Sequence, residues 1–135
     1  MEFKVPLQKA TLVRRYKRFL SDMLLPNGTN VVAHCANSGS MLGLTQPGSE
    51  VWLSPNTNPK AKLDWRWELV RADGHLVGIN TSHPNRIVEA AIEEDEIAEL
   101  RGYNNIRREV RYGVNSRIDL LLEAPDKKPC FVEVK

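Results

Sequence analysis

Residues 116–135, SRIDLLLEAPDKKPCFVEVK, predict two neighbouring β-strands joined by a short turn. Side chains alternate along a strand, so the apolar residues of each segment share one face: Ile118, Leu120 and Leu122, then Cys130, Val132 and Val134. The opposite face carries Asp119 in the first strand, and Glu133 and Lys135 in the second. Residues 124–129, APDKKP, are rich in turn formers, so we expect antiparallel strands that bring Asp119, Glu133 and Lys135 onto one surface.

Such a surface holds the groups that metal-assisted phosphodiester hydrolysis needs. Carboxylates bind Mg²⁺, which keeps several water ligands, polarises a phosphate and lowers the pKa of a bound water. We expect Asp119 and Glu133 to bind Mg²⁺, and Lys135 to orient water or neutralise charge in the transition state. Glu109, in the preceding strand or helix end, is a candidate third carboxylate. The structural alternative is an exposed Glu–Lys pair, worth well under ~1 kcal/mol.

One helix and a third strand precede this pair. The helix is predicted to have Ser82 or Asn85 as its N-cap, Pro84 in its first turn and Gly102 as its stop. Its apolar stripe is Ile87, Ala90, Ala91 and Ile97. Strands are predicted at residues 107–111, 117–123 and 130–135. The composition changes from β to helix near residues 81–84, which predicts a domain boundary there.

The first eighty residues are predicted to form β-strands. Turn signals separate short apolar runs at residues 29–33, 51–54, 63–70 and 75–80. Residues 63–69, LDWRWEL, alternate strictly, so Trp65 and Trp67 share a strand face that we expect to be core. Several short strands predict a small barrel or sandwich. Residues 12–20 fit either helical spacing or strand alternation, and periodicity alone leaves both open.

The composition excludes several classes of protein. A chain of 135 residues with 41% hydrophobic residues suits one good core or two small ones. Cys35 and Cys130 are far apart, which excludes a disulfide scaffold or a zinc ribbon. The charged N-terminus lacks the apolar core of a signal peptide, and no apolar run approaches bilayer length. We therefore expect a soluble cytoplasmic protein without a membrane partner.

The net charge of +2 hides an uneven distribution. Bases dominate the first twenty residues, whereas residues 89–99 carry acids only and are expected to form a solvated face. The candidate nucleic-acid-binding residues are Arg14, Arg15, Tyr16, Lys17, Arg18 and Lys60. There the bases would bind phosphates and Tyr16 would stack on a nucleobase. In the alternative, Tyr16 and Phe19 are core and the bases solubilise an edge strand.

The motifs resemble known families. Asp followed by Glu-x-Lys on paired strands resembles the PD-(D/E)xK nuclease superfamily. The wider chain resembles the sugar fermentation stimulation protein family (SfsA). The matching stretches are RRYKRFLSDM at 14–23, HCANSGSMLG at 34–43, VWLSPNTNPKAKLDWRWEL at 51–69, GINTSHPN at 78–85, EVRYGVNSRIDLLL at 109–122 and CFVEVK at 130–135.

The resemblance implies a two-domain α+β protein. An N-terminal OB-like β-barrel (residues 1–82) would precede the incomplete start of a PD-(D/E)xK nuclease-like α/β domain (residues 83–135). It implies that residues 12–20 are barrel strand, and that Asp119, Glu133, Lys135 and Glu109 occupy the family's site positions. It also implies DNA as partner and a link to the regulation of sugar-utilisation genes. Family members continue beyond the position of Lys135, so we expect a fragment that lacks the elements packed over the site.

Three functions remain open. The first is a magnesium-dependent DNA endonuclease. The second is a DNA-binding regulator that keeps the nuclease fold without cleaving DNA. The third is an OB-like module that binds oligosaccharide or protein. The sequence leaves open whether the site is active, which DNA it prefers and its oligomeric state.

Overall fold

Strands dominate the computed structural model, which describes residues 1–135. Two units are separable, Glu2–Thr81 and Ser82–Lys135. The first contains β1 (Gln8–Tyr16), β2 (Leu20–Leu24), β3 (Asn30–His34), β4 (Glu50–Pro55), β5 (Trp65–Ala72) and β6 (His75–Gly78). The second contains α1 (Pro84–Glu93), a 3-10 turn (Ala98–Leu100), β7 (Asn105–Tyr112), β8 (Ser116–Ala124) and β9 (Lys127–Val132). Neither the helix nor the 3-10 turn has the length and apolar character needed to cross a bilayer.

Five strands of the first unit close into a barrel. β1 pairs antiparallel with β2 and with β4, β2 pairs with β3, and β4 pairs with β5. A short parallel pairing of β3 with β5, Ala33 to Trp65 and His34 to Arg66, completes the circle. β6 extends β5 as a hairpin beyond that point. The strand order β1-β2-β3-β5-β4 confirms the predicted OB-like barrel.

The barrel core follows from alternation along the strands. Trp67 is fully buried and the half-buried Trp65 packs against the same core, as predicted from residues 63–69. The outer face of β5 is partly covered as well, since Glu68 is only 2% exposed. Its carboxylate accepts hydrogen bonds from Ser54 Oγ at 2.7 Å and Asn80 Nδ2 at 3.0 Å. Burial of a carboxylate requires such donors, and alternation alone does not reveal them.

Residues 12–20 form neither a helix nor one continuous strand. β1 ends at Tyr16 and β2 begins at Leu20, so a tight hairpin turn lies inside the segment. The loop between the paired residues Tyr16 and Leu20 has three residues, and its first two, Lys17 and Arg18, have left-handed φ values of 48° and 65°. The expectation of barrel strand is right for residues 12–16 and wrong for the turn. The sequence did not indicate this turn, because turns with left-handed residues usually contain Asn or Gly.

The second unit is a three-stranded antiparallel sheet with one helix. β8 is the central strand between β7 and β9. Its predicted apolar face is confirmed: Ile118, Leu120 and Leu122 are at most 4% exposed. Leu120 and Leu122 form a core with Ile92 of α1. The three predicted strands are present, but β9 ends at Val132, so Glu133 and Lys135 follow the strand instead of lying within it.

The helix is shorter than predicted. Its N-cap is His83, with no capping bond from a side chain, so neither Ser82 nor Asn85 has that role. The helix ends at Glu93, and Asp95, two residues further on, has a left-handed φ of 57°. The amides of Asp95 and Glu96 bond the carbonyls of Ile92 and Ala91, a Schellman motif that closes the last turn.

Two residues of the predicted apolar stripe are not part of the buried face of α1. Ile97 lies beyond the helix but still packs against the core of the second unit. Ile87 is 47% exposed, and the buried face runs through Val88 and Ile92.

One ion-pair cluster ties three barrel strands together. Glu50 on β4 pairs with Lys9 on β1, 2.8 Å between Nζ and Oε1, and with Arg71 on β5. Hydrogen bonds from these two cations hold the pKa of the Glu50 carboxyl at about 2, below its usual 4.5. A lowered folded-state pKa stabilises the barrel above pH 4.5, and this contribution is lost as the pH falls towards 2.

We predict that Glu50→Gln reduces the acid sensitivity of the barrel. The wild-type free energy of unfolding should fall between pH 4.5 and 2, whereas the variant, less stable near neutrality, should lose less over that range. Tryptophan fluorescence during denaturant unfolding measures this, because Trp52, Trp65 and Trp67 all lie in the barrel unit. Glu2→Gln, an exposed change near the N-terminus, should behave as wild type. Equal acid sensitivity of wild type and Glu50→Gln would contradict the assignment.

Candidate functional site

Asp119 is the centre of the candidate site. It lies half-buried in the middle of β8, between Ile118 and Leu120, which face the core. Its Oδ1 accepts a hydrogen bond from Asn85 Nδ2 at 3.1 Å, and its Oδ2 accepts one from the Val134 backbone amide at 2.9 Å. The carboxylate thus connects β8 to the first turn of α1 and to the segment after β9.

Glu133 and Lys135 lie beside Asp119 because of the strand register. Leu120 pairs with Val132, the last residue of β9, so Glu133 comes next along the chain, on the side of Asp119. Lys135 Nζ lies 3.0 Å from Glu133 Oε1, with the two side chains 82% and 53% exposed. The hydrogen bond and charge of Glu133 raise the pKa of Lys135, and the charge of Asp119 adds to the effect. The lysine is therefore fully protonated at neutral pH.

Glu109 occupies the matching position on β7 but is turned to another partner. Its neighbours pair as Arg108 with Leu120 and Val110 with Ile118, which sets Glu109 across from Asp119. Its φ is 52° although β7 is paired with β8 on both sides of it, and its Oε2 lies 3.6 Å from Arg117 Nη1. No three acidic, His or Cys side chains are close enough together to hold a metal ion.

The donor types of this site fit a hard divalent cation. Mg²⁺ usually binds one or two carboxylates and keeps several waters, so Asp119 and Glu133 supply what it needs. Each oxygen of Asp119 already accepts one N–H and retains a second lone pair for a cation.

The predicted nucleic-acid-binding residues of β1 fall into two groups. Arg14 pairs with Asp22 at 2.8 Å and lies 4.4 Å above the Tyr16 ring. Arg15 donates to the backbone carbonyls of Arg18 at 2.9 Å and Asn37 at 2.7 Å. Both arginines therefore hold the barrel together, and Tyr16 is covered on one face.

The remaining bases are free for a ligand. Lys17 and Arg18 project from the hairpin turn, exposed and without a side-chain hydrogen bond or ion pair. Lys60 is exposed in the loop between β4 and β5, where its backbone amide donates to Asn58 Oδ1 at 3.0 Å. The structure therefore separates the predicted set into anchored and free cations.

Asn85 is the site residue that sequence reasoning missed. Its position just after Pro84 suggested an N-cap, since Asn is common there. In the structure its amide donates to Asp119 instead. The strand and helix are 34 residues apart in sequence, so no local pattern indicates this contact.

The fold and site define a two-domain protein, an OB-like barrel followed by a small α+β unit with a carboxylate–lysine cluster on its sheet. Comparison with family models gives the same division. Residues 13–79 match the SfsA N-terminal OB domain, and residues 82–135 match the sugar fermentation stimulation protein RE domain. The chain belongs to the sugar fermentation stimulation protein family, as its motifs predicted.

Individual relatives extend this result. The chain is 62% identical to a sugar fermentation stimulation protein homolog of Paramagnetospirillum magneticum, over 100% of this chain and 57% of that protein. It is 60% identical to a homolog of Geobacter sulfurreducens, over 96% of this chain and 55% of the relative. The structure of Pyrococcus furiosus SfsA in complex with Ca²⁺ superimposes with a TM-score of 0.84 at 28% identity, covering 98% of this chain and 55% of that one. The chain thus spans little more than half the length of these relatives.

We predict that Asp119 holds the segment after β9 in place. Asp119→Ala removes the acceptor of the Val134 amide, and a hydrogen bond to a charged acceptor contributes enough to change protection about tenfold or more. Hydrogen exchange at the Val134 amide should therefore accelerate by about that factor. Asp119→Asn keeps one carbonyl acceptor and should show a smaller change. Unchanged exchange in Asp119→Ala would contradict the tether.

Proposed function

We propose that the second unit of this chain carries a divalent-cation site for cleaving DNA phosphodiester bonds, and that the barrel of the first unit binds DNA. The observation that carries the proposal is the contact of Asp119 with the segment Glu133–Lys135, since the Val134 amide donates to Asp119 at 2.9 Å and Lys135 is bonded to Glu133. Two carboxylates and a charged lysine on one sheet surface are the groups such chemistry requires. The likeness to PD-(D/E)xK nucleases, with Glu133-Val134-Lys135 as the ExK element, supports the same assignment.

Each side chain then has a role. Asp119 and Glu133 would hold Mg²⁺, which when bound supplies Lewis-acid activation of the phosphate and a water of lowered pKa. Lys135 stays protonated beside Glu133 and neutralises charge that develops on the phosphate oxygens. Asn85 is a positioning residue, since its amide fixes the orientation of the Asp119 carboxylate. The complex of Pyrococcus furiosus SfsA with Ca²⁺, a cation that also takes oxygen ligands, supports a cation site in the family.

The barrel supports the DNA-binding half of the proposal. Lys17, Arg18 and Lys60 are exposed on two loops of an OB-like fold, whose loops commonly contact oligonucleotides. For the whole protein we further propose the family's link to the regulation of sugar-utilisation genes, with DNA binding as its physical basis.

A second candidate function is a DNA-binding regulator without turnover. Both Asp119 oxygens accept N–H groups, and Glu109 lies closest to Arg117 instead of joining a group of ligands. These contacts favour a site that has the fold of a nuclease but whose carboxylates stabilise the structure instead of binding a metal ion. Cleavage assays separate the two functions.

We predict Mg²⁺-dependent cleavage of DNA by the full-length protein that contains this chain. Asp119→Asn and Glu133→Gln should reduce cleavage to background, and Lys135→Met should lower kcat by roughly 10²-fold, the usual cost of losing one charge-stabilising donor. Plasmid and single-stranded circular DNA are the substrates, with and without Mg²⁺.

A matched control tests whether loss of any exposed carboxylate lowers cleavage. Asp126→Asn removes an exposed carboxylate from the turn between β8 and β9, and should cleave as wild type. An inert wild type that still binds DNA would establish the regulator instead. Cleavage that survives both carboxylate changes would place the site elsewhere.

We predict that the free bases, and not the anchored ones, set the salt dependence of DNA binding. Each phosphate contact contributes about 0.9 to the slope of log affinity against log salt for duplex DNA, or about 0.7 for single strands. The double variant Lys17→Gln with Arg18→Gln should lower the slope by about 1.5. Arg14→Gln, whose partner is Asp22, is the control and should leave the slope almost unchanged. A change of about 0.7 to 0.9 in Arg14→Gln would mean that the ion pair opens on binding.

A further inference from the structure

We propose that Phe19 and His34 form a stacking site for an unpaired nucleobase, so that the barrel binds single-stranded nucleic acid in preference to duplex. This inference rests on the proposed nucleic-acid binding of the barrel and names the form of nucleic acid that it takes. It transfers the stacking role expected of Tyr16 to a residue three positions further along the chain.

The ring pair provides a flat, accessible surface. The Phe19 and His34 rings lie nearly parallel, with an interplanar angle of 10° and centroids 6.4 Å apart. Phe19 is 46% exposed, a large apolar area for a side chain that follows a tight turn. Parallel rings present their faces in one direction, which is the geometry that a planar base requires. Tyr16 lacks this freedom, since the Arg14 guanidinium lies over its ring.

The strand register brings two basic loops to this ring pair. His34 pairs with Leu20 on one side and with Arg66 on the other. Leu20 directly follows the turn that carries Lys17 and Arg18, and Arg66 follows the loop of residues 56–64. That loop carries the exposed bases Lys60 and Lys62. Cations therefore flank the rings on both sides along the strand order.

Arg66 adds an unsatisfied donor at the same position. Its side chain is half-buried, makes no ion pair, and leaves its Nε without a hydrogen-bond partner. Buried polar groups in folded proteins nearly always have partners, so this N–H is open to a water molecule or to an oxygen of a ligand. Arg66 lies on the outer face of β5, because the flanking Trp65 and Trp67 point into the barrel core.

Rings combined with cations indicate a single strand. Phosphate contacts alone favour duplex DNA, because its two strands give it the higher charge density. A stacking ring contributes only where a base face is uncovered, as in single strands, loops and ends. Interleaved bases and exposed rings are the arrangement that proteins use to bind single strands without sequence preference.

The test measures the binding of a fluorescently labelled oligonucleotide and of the duplex of the same sequence to the 135-residue chain, by anisotropy. Phe19→Leu keeps an apolar side chain but removes the ring, and should weaken single-strand binding at least about fivefold while duplex binding stays the same. Phe19→Tyr keeps the ring and should bind as wild type. Tyr112→Leu, which removes a similarly exposed ring from the second unit, is the matched control and should also bind as wild type.

A second readout reports stacking directly. A single strand with 2-aminopurine should lose fluorescence on binding to wild type, because stacking on an aromatic ring quenches this base, and Phe19→Leu should abolish the quenching. The wild-type measurement alone remains decisive if Phe19→Leu fails to fold, as judged by tryptophan fluorescence.

The outcomes separate this inference from the function on which it rests. Equal or stronger binding of duplex, or single-strand binding and quenching that Phe19→Leu leaves intact, would overturn the stacking site while DNA binding stands. Absence of binding to either form would overturn both.

Discussion

The second unit depends on how it accommodates one carboxylate in the middle of an apolar strand. One face of β8 packs into the core through Ile118, Leu120 and Leu122, and Asp119 lies half-buried on the other face. A carboxylate in that position is costly unless N–H donors reach it. The donors come from the Val134 amide and from Asn85 in α1. Satisfying Asp119 therefore determines where the chain runs after β9 and how the helix begins.

The same requirement assembles the candidate site. The Val134 amide donates to Asp119 from the segment that follows β9, so Glu133 and Lys135 on either side of it are held close to the same carboxylate, with Lys135 bonded to Glu133. Structural and chemical roles thus share one carboxylate. A cation at Asp119 would use lone pairs that its N–H partners leave free, so binding a metal and holding the fold do not exclude each other.

Alternation along strands could be predicted from the sequence, and it identified the buried face of β8 and the Trp65–Trp67 core face, whereas the OB-like barrel was predicted from the family resemblance. Features that depend on non-local partners could not be predicted. The Asn85 contact joins residues 34 positions apart, and the burial of Glu68 depends on donors from other segments. Local errors arose where residues adopt backbone conformations unusual for their type. Lys17, Arg18 and Asp95 all have positive φ, so the β1–β2 turn and the helix end carry no glycine to mark them.

The β1 segment shows why a basic run in a sequence differs from a basic surface. Consecutive strand residues point to opposite sides, so Arg14 and Arg15 cannot share a face. One pairs with Asp22 across β2 and the other is directed to carbonyls at the end of the barrel. Lys17 and Arg18 lie in the turn, outside the strand alternation, and are exposed next to Phe19. Charge available to a ligand therefore comes from the loops, while charge within the strands stabilises the barrel. The rings of Phe19 and His34, flanked by exposed loop cations, therefore differ from Tyr16, whose ring is covered by Arg14.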